Sequence, residues 1–152
     1  MIYLDTSALL KLVKDDEAEG PALRAYLAAE AEPRLVSSAL LAVEARRGVL
    51  RVRPDGLPKV DLLLADVAQI SVSDAVIESA SRLPGPLLRS LDAIHLATAL
   101  LIRDDVDAVL TYDARLRRAA EAHGLPTAAP GLLQDATTPT TSSTAAAPNA
   151  AG

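Results

Sequence analysis

At 152 residues the chain has the length of one domain with a sizeable core, and half of its residues are hydrophobic. It has no cysteine, which excludes disulfides, thiolate metal sites and cysteine nucleophiles; any metal must take oxygen ligands, with at most a histidine beside them. A net charge of −5 argues against a protein that coats nucleic acid nonspecifically, yet it is compatible with acids clustered to bind a cation.

In chain order, residues 1–5 (MIYLD) predict a short buried strand ending in an acid. Residues 7–14 (SALLKLVK) predict a helix, with Thr6 or Ser7 as its cap, and 18–30 a second helix with Pro21 in its first turn. A strand at 34–37 leads into a long amphipathic helix, 38–52. A further helix over 58–66 precedes a strand at 68–72. Ser73 or Asp74 caps a helix over 74–83, and Pro84-Gly85-Pro86 is a turn. A strongly apolar helix over 90–103, a buried strand over 106–111 and a helix over 113–123 follow. Gly124 is the expected stop of that last helix, and 126–129 an edge strand.

The alternation of strands and helices predicts an α/β fold: three α/β/α layers around a mostly parallel central sheet. The domain is expected to span 1–133. The remainder, 134–152, is rich in Ala, Thr and Ser and almost uncharged, and it reads as a disordered tail. No secretory leader or bilayer-length apolar run is visible, so the expected location is the cytoplasm, with no membrane contact.

Four acids stand out by position. Asp5 ends the first strand and Asp113 follows the last long one; in parallel α/β sheets ligands gather outside such carboxyl ends. Asp92 opens the apolar helix, and Glu44 shares its helix with Leu40, Leu41 and Val43, on or beside a buried face. Acids drawn inside without a positive partner are unfavourable, and a cation supplies that partner.

The segments DTSALLKLV, VEARRG, LDAIHLATAL and TYDARLRRAAEAHGLP, in this order over about 1–130, resemble the PIN-domain family, especially bacterial toxins of the VapC type. The resemblance implies a Mg²⁺- or Mn²⁺-dependent endoribonuclease whose acidic cluster is Asp5, Glu44, Asp92 and Asp113. Thr6 or Ser7, together with Thr111, match the supporting hydroxyls. Asp5, Asp92 and Asp113 would hold the metal directly or through water. Glu44 would orient or deprotonate the nucleophile, or support a second ion. The resemblance also implies products with 5′-phosphate and 3′-hydroxyl ends, and a cognate antitoxin that blocks the site with a basic side chain. The many leucines of 38–52 and 60–64 exceed the needs of one core, and part of that surface is expected to serve a homodimer or the antitoxin.

Other residues were weighed beside these. His95, one turn after Asp92, reads better as a structural partner than as a ligand, and His123 as a residue favoured at a helix end. Arg46, Arg47, Arg51 and Arg53, and then Arg115, Arg117 and Arg118, are either solvated helix faces or phosphate contacts for RNA; Arg46, Arg47 and Arg115 are the candidates nearest the acids. Competing readings fare worse. A dehalogenase-like phosphatase needs a second Asp at position 7, where Ser7 stands, and a phosphoacceptor receiver needs an acidic neighbour that Asp5 lacks. A PIN fold retained only for binding, or an RNA-processing nuclease outside a toxin system, remain as alternatives.

Overall fold

The computed structural model describes residues 1–14, 17–30, 33–85 and 87–132; the predicted tail and Pro86 of the expected turn lie outside them. The strands are β1 (Ile2–Leu4), β2 (Leu35–Ser38), β3 (Val67–Ile70), β4 (Ala108–Leu110) and β5 (Thr127–Ala128). The helices are α1 (Thr6–Val13), α2 (Gly20–Ala28), α3 (Leu40–Val52), α4 (Leu57–Ala65), α5 (Asp74–Arg82), α6 (Ser90–Leu101) and α7 (Ala114–Ala122). Each predicted element is present, with ends that differ by at most two residues.

The sheet order is β3-β2-β1-β4-β5, and every pairing is parallel. Side chains alternate across it as the strand period of two requires. Ile2, Leu4 and Leu110 enter one core with Leu9 and Leu12 of α1, Leu23 of α2, Leu41 and Val49 of α3, and Val60 and Leu64 of α4. Tyr3, Val36 and Val109 enter the opposite core with Leu96 and Ala99 of α6 and Leu116 and Ala120 of α7. Helix α5 packs on α6 through Val76, Ala80, Ala93 and Ala97. The result is the expected three layers, with helices on both faces.

The direction in which strands are added reverses between β1 and β4: from β1 the chain winds outward to β2 and β3, then crosses back to β4 and β5. The gap beyond the carboxyl ends of β1 and β4 is therefore the switch point at which open α/β sheets bind ligands.

Two local details place side chains at that gap. Asp5, rather than Thr6 or Ser7, caps α1: its backbone is extended and its carboxylate accepts from Ser7 N. Asp113 caps α7 in the same way, accepting from the backbone of Arg115 and Leu116. A carboxylate at these positions ends a strand and starts a helix with one side chain. Gly124 takes φ +77 just past α7, the left-handed conformation the predicted stop requires. Ser73 caps α5 through Val76 N, as expected. No helix among the described residues is long and apolar enough to cross a membrane.

Candidate active site

Asp5 is 6% exposed, and its Oδ2 accepts three hydrogen bonds: from Ser7 Oγ at 2.5 Å, Ser7 N at 3.2 Å and Thr111 Oγ1 at 2.8 Å. Those hydroxyls are themselves held. Tyr112 N donates to Ser7 Oγ at 2.9 Å, and Asp113 N donates to Thr111 Oγ1 at 3.1 Å. The ends of β1 and β4 are thus joined through the side chains that fix Asp5.

Asp113 Oδ1 accepts from Arg115 N at 2.7 Å and Leu116 N at 3.3 Å, and its Oδ2 accepts from Arg115 Nη2 at 3.0 Å. Burial would raise its pKa, but these donors outweigh burial and hold it below the usual value. Asp92 lies in the first turn of α6, where its Oδ2 meets Arg89 N at 3.4 Å. Its pKa is raised, first by burial and then by the negative charges of Asp113 and Asp5. That repulsion records three carboxylates gathered at one place.

Glu44 reaches the same region from α3. Its Oε2 accepts from Thr6 Oγ1 at 2.7 Å and pairs with His95 Nε2 at 2.8 Å. Burial pushes its pKa up, but the bonds from His95 and Thr6 prevail and lower it. Glu44 therefore joins the cluster through the residue after Asp5 and through a histidine one helical turn beyond Asp92.

The hydrogen bonds share a pattern. Asp5, Glu44 and Asp92 are each held by one oxygen, Oδ2, Oε2 and Oδ2, while Asp5 Oδ1, Glu44 Oε1 and Asp92 Oδ1 have no protein donor among the described residues. An all-oxygen, anionic donor set of this kind fits a hard divalent cation such as Mg²⁺ or Mn²⁺. The fit is one of donor chemistry alone: among the described residues no group of three or more acidic or histidine side chains is placed so that it could hold a metal ion.

The remaining candidates divide. Arg115 is at the acids through Asp113, whereas Arg46 is taken up on the surface by Asp61 of α4 at 2.8 Å. Arg47 is exposed on α3. His123 closes α7, its Nδ1 against Ala119 O at 2.8 Å, so it belongs to the helix end as expected. His95 is 2% exposed and is a partner of Glu44. Tyr3 was not singled out in the sequence, yet its hydroxyl lies 3.1 Å from His95 Nδ1. The signal available was a lone tyrosine amid aliphatic strand residues, whose buried hydroxyl must find a partner.

The family model described as PIN domain matches residues 2–122, which takes in all four acids. The chain belongs to the PIN domain family. Among PIN proteins it is 45% identical over 133 residues to Ribonuclease VapC35 of Mycobacterium tuberculosis, covering 86% of this chain and 98% of that protein. Solved PIN structures are similar in fold. The sarcin-ricin loop cleaving toxin VapC20 of Mycobacterium tuberculosis superposes with a TM-score of 0.67 at 16% identity, over 82% of this chain and 96% of that one. A chain of a toxin–antitoxin complex from Klebsiella pneumoniae gives 0.59 at 22% identity, over 76% and 88% respectively.

Proposed function

We propose that this PIN-domain protein is a Mg²⁺- or Mn²⁺-dependent endoribonuclease and the toxin of a toxin–antitoxin pair. The observation that carries the reading is the match over 86% of the chain to a protein named as a ribonuclease, beside a PIN-domain match over residues 2–122 that takes in all four acids. Asp5 and Asp92 would hold the cation through the oxygens that lack protein donors, and Asp113 through Oδ2, which Arg115 Nη2 now engages. When bound, the cation supplies a Lewis acid for the phosphoryl oxygens and lowers the pKa of an attacking water. Glu44 presents Oε1 to orient that water and accept its proton, while Oε2 stays anchored. Ser7 and Thr111 fix Asp5, and Thr6 fixes Glu44. Arg47, exposed on α3, and Arg115, held beside the acids by Asp113, are the better-placed contacts for RNA phosphates; Arg46 is drawn to Asp61 on α4. The scarcity of aromatic residues favours recognition by RNA shape or by a few loop contacts over base stacking.

The antitoxin would place a basic side chain, best an Arg, among the acids, where its planar fork matches paired carboxylates. Exposed Val43, Leu50, Val52 and Leu62 on α3 and α4 give an apolar surface for that partner or for a second copy of the chain. Such a pair would work in the cytoplasm.

The test is cleavage of total cellular RNA by antitoxin-free protein with Mg²⁺, with Mn²⁺ and with EDTA, with the new ends mapped. Cation-dependent cuts leaving 5′-phosphates are expected. Asp5→Asn should lower the rate at least about 100-fold, in the range of lost electrostatic contributions at catalytic sites. It should melt like the parent, because Asn caps a helix as well as Asp. Full activity in Asp5→Asn, or cutting that persists in EDTA, refutes the assignment.

A further inference from the structure

Behind Glu44 lies a line of buried polar groups that the reaction scheme does not use. Tyr3 is fully buried and His95 is 2% exposed, in the core between the sheet and α6. Ser38 N, at the end of β2, donates to Tyr3 Oη at 3.1 Å. Tyr3 Oη is 3.1 Å from His95 Nδ1, and the two rings meet edge to face with centroids 6.1 Å apart. His95 Nε2 is 2.8 Å from Glu44 Oε2, which also accepts from Thr6 Oγ1. Four bonds thus link β2, β1, α6, α3 and α1.

The direction of the bonds follows from what each group can give. Glu44, ionised, only accepts, so the proton between it and the imidazole sits on Nε2. A neutral imidazole with Nε2–H has a lone pair on Nδ1, which the tyrosine proton satisfies. Ser38 N–H fills an acceptor site on the phenol. Every member is satisfied in this one arrangement. Buried polar groups are unfavourable where an apolar pair would fill the same space, so such a line is retained for what it positions.

Building on the reading of Glu44 as the group that handles the attacking water, we propose that Tyr3 and His95 are positioning residues. They hold the imidazole as its Nε2–H tautomer and thereby keep Glu44 Oε2 anchored so that Oε1 faces the reaction. Neither touches substrate. With Tyr3 removed, Glu44 still demands the proton on Nε2, but Nδ1 loses its donor, so the ring is held at one nitrogen only and no longer fixes the carboxylate.

The test has two arms. Nitrogen-15 NMR of the imidazole in the wild-type, antitoxin-free protein reads the tautomer without reference to activity. The expected result is a ring protonated at Nε2 whose unprotonated Nδ1 accepts a hydrogen bond, with the Nδ1 resonance shifting in Tyr3→Phe as that bond is lost. A wild-type ring protonated at Nδ1, or a spectrum unchanged in Tyr3→Phe, overturns the relay. The second arm measures RNA cleavage rates against RNA concentration in Mn²⁺. Tyr3→Phe and His95→Leu should lose about 10- to 100-fold in kcat with KM unchanged, the scale of a misplaced catalytic group. His95→Gln, which can still donate to Glu44, should recover much of that loss. Equal rates in Tyr3→Phe and wild type, or no difference between His95→Gln and His95→Leu, overturn the positioning role. If the wild type cleaves no RNA, the nuclease reading fails while the tautomer arm still decides the relay.

Discussion

Asp113 and Glu44 respond to pH in one sense and Asp92 in the other, because their surroundings differ. Asp113 and Glu44 have folded pKa values below their unfolded ones, so they add stability above the unfolded value and lose it as pH falls through the folded value. Asp92 has a folded value raised above 3.8, first by burial and then by Asp113 and Asp5. Its ionisation therefore costs stability, and that cost grows as pH rises from 3.8 through the folded value. Asp92→Asn in EDTA should accordingly melt higher than the parent at pH 7, by about 1–3 °C for a chain of this size. The gain should shrink as pH falls and vanish below 3.8, where both forms are neutral. Melting curves across pH check this; a lower melting temperature for Asp92→Asn at pH 7 would show that its hydrogen bond to Arg89 outweighs the repulsion. Salt should reduce the difference, since the side chains are only partly buried.

At the scale of elements, α1 and α3 together carry the acid-bearing edge, because α1 brings Thr6 and α3 brings Glu44. Their approach is close at Gly48, where an added Cβ would lie 3.2 Å from Leu10 Cδ1. The obstruction is the flexible end of a side chain that is only partly buried, so it can shift. Glycine within a helix is less favourable than alanine by roughly 0.5–1 kcal/mol. Gly48→Ala should therefore stabilise the protein by up to about that amount, raising the melting temperature by about 1–4 °C. Denaturant unfolding gives the sign; destabilisation would mean that Leu10 is locked by its neighbours. Gly56 is the contrasting case. A Cβ there would meet Val49 Cγ2 at 2.9 Å, and Val49 is buried.

For the whole molecule, the proposed cation would be linked to folding through the acids. A ligand that binds only the folded state at 100 times its dissociation constant adds about 2.7 kcal/mol. For a domain of this size that corresponds to a rise of about 5–10 °C in melting temperature. Saturating Mn²⁺ should produce such a rise in the wild type and little of it in Asp5→Asn, as read by calorimetry. Equal shifts in both proteins would place the bound ion elsewhere on the acidic surface.

Sequence pattern alone determined the elements and the layers, because hydrophobic periodicity and capping residues act over a few positions. Ser73 and Gly124 were readable as boundaries for that reason. It also singled out four acids as candidates, since Asp5 and Asp113 follow buried strands directly and the resemblance of the ordered motifs ties Asp92 and Glu44 to them. The cap of α1 was misread: Asp5 serves as site acid and cap together, and a local rule sees only the next hydroxyl. The rest depended on contacts between residues distant in the chain. Thr111 reaches Asp5 across 106 positions, His95 reaches Glu44 across 51, and Tyr3 reaches His95 across 92. Which carboxylate oxygen is anchored and which is left for chemistry follows from those partners, and only the folded sheet, with its switch point between β1 and β4, brings them within hydrogen-bonding distance.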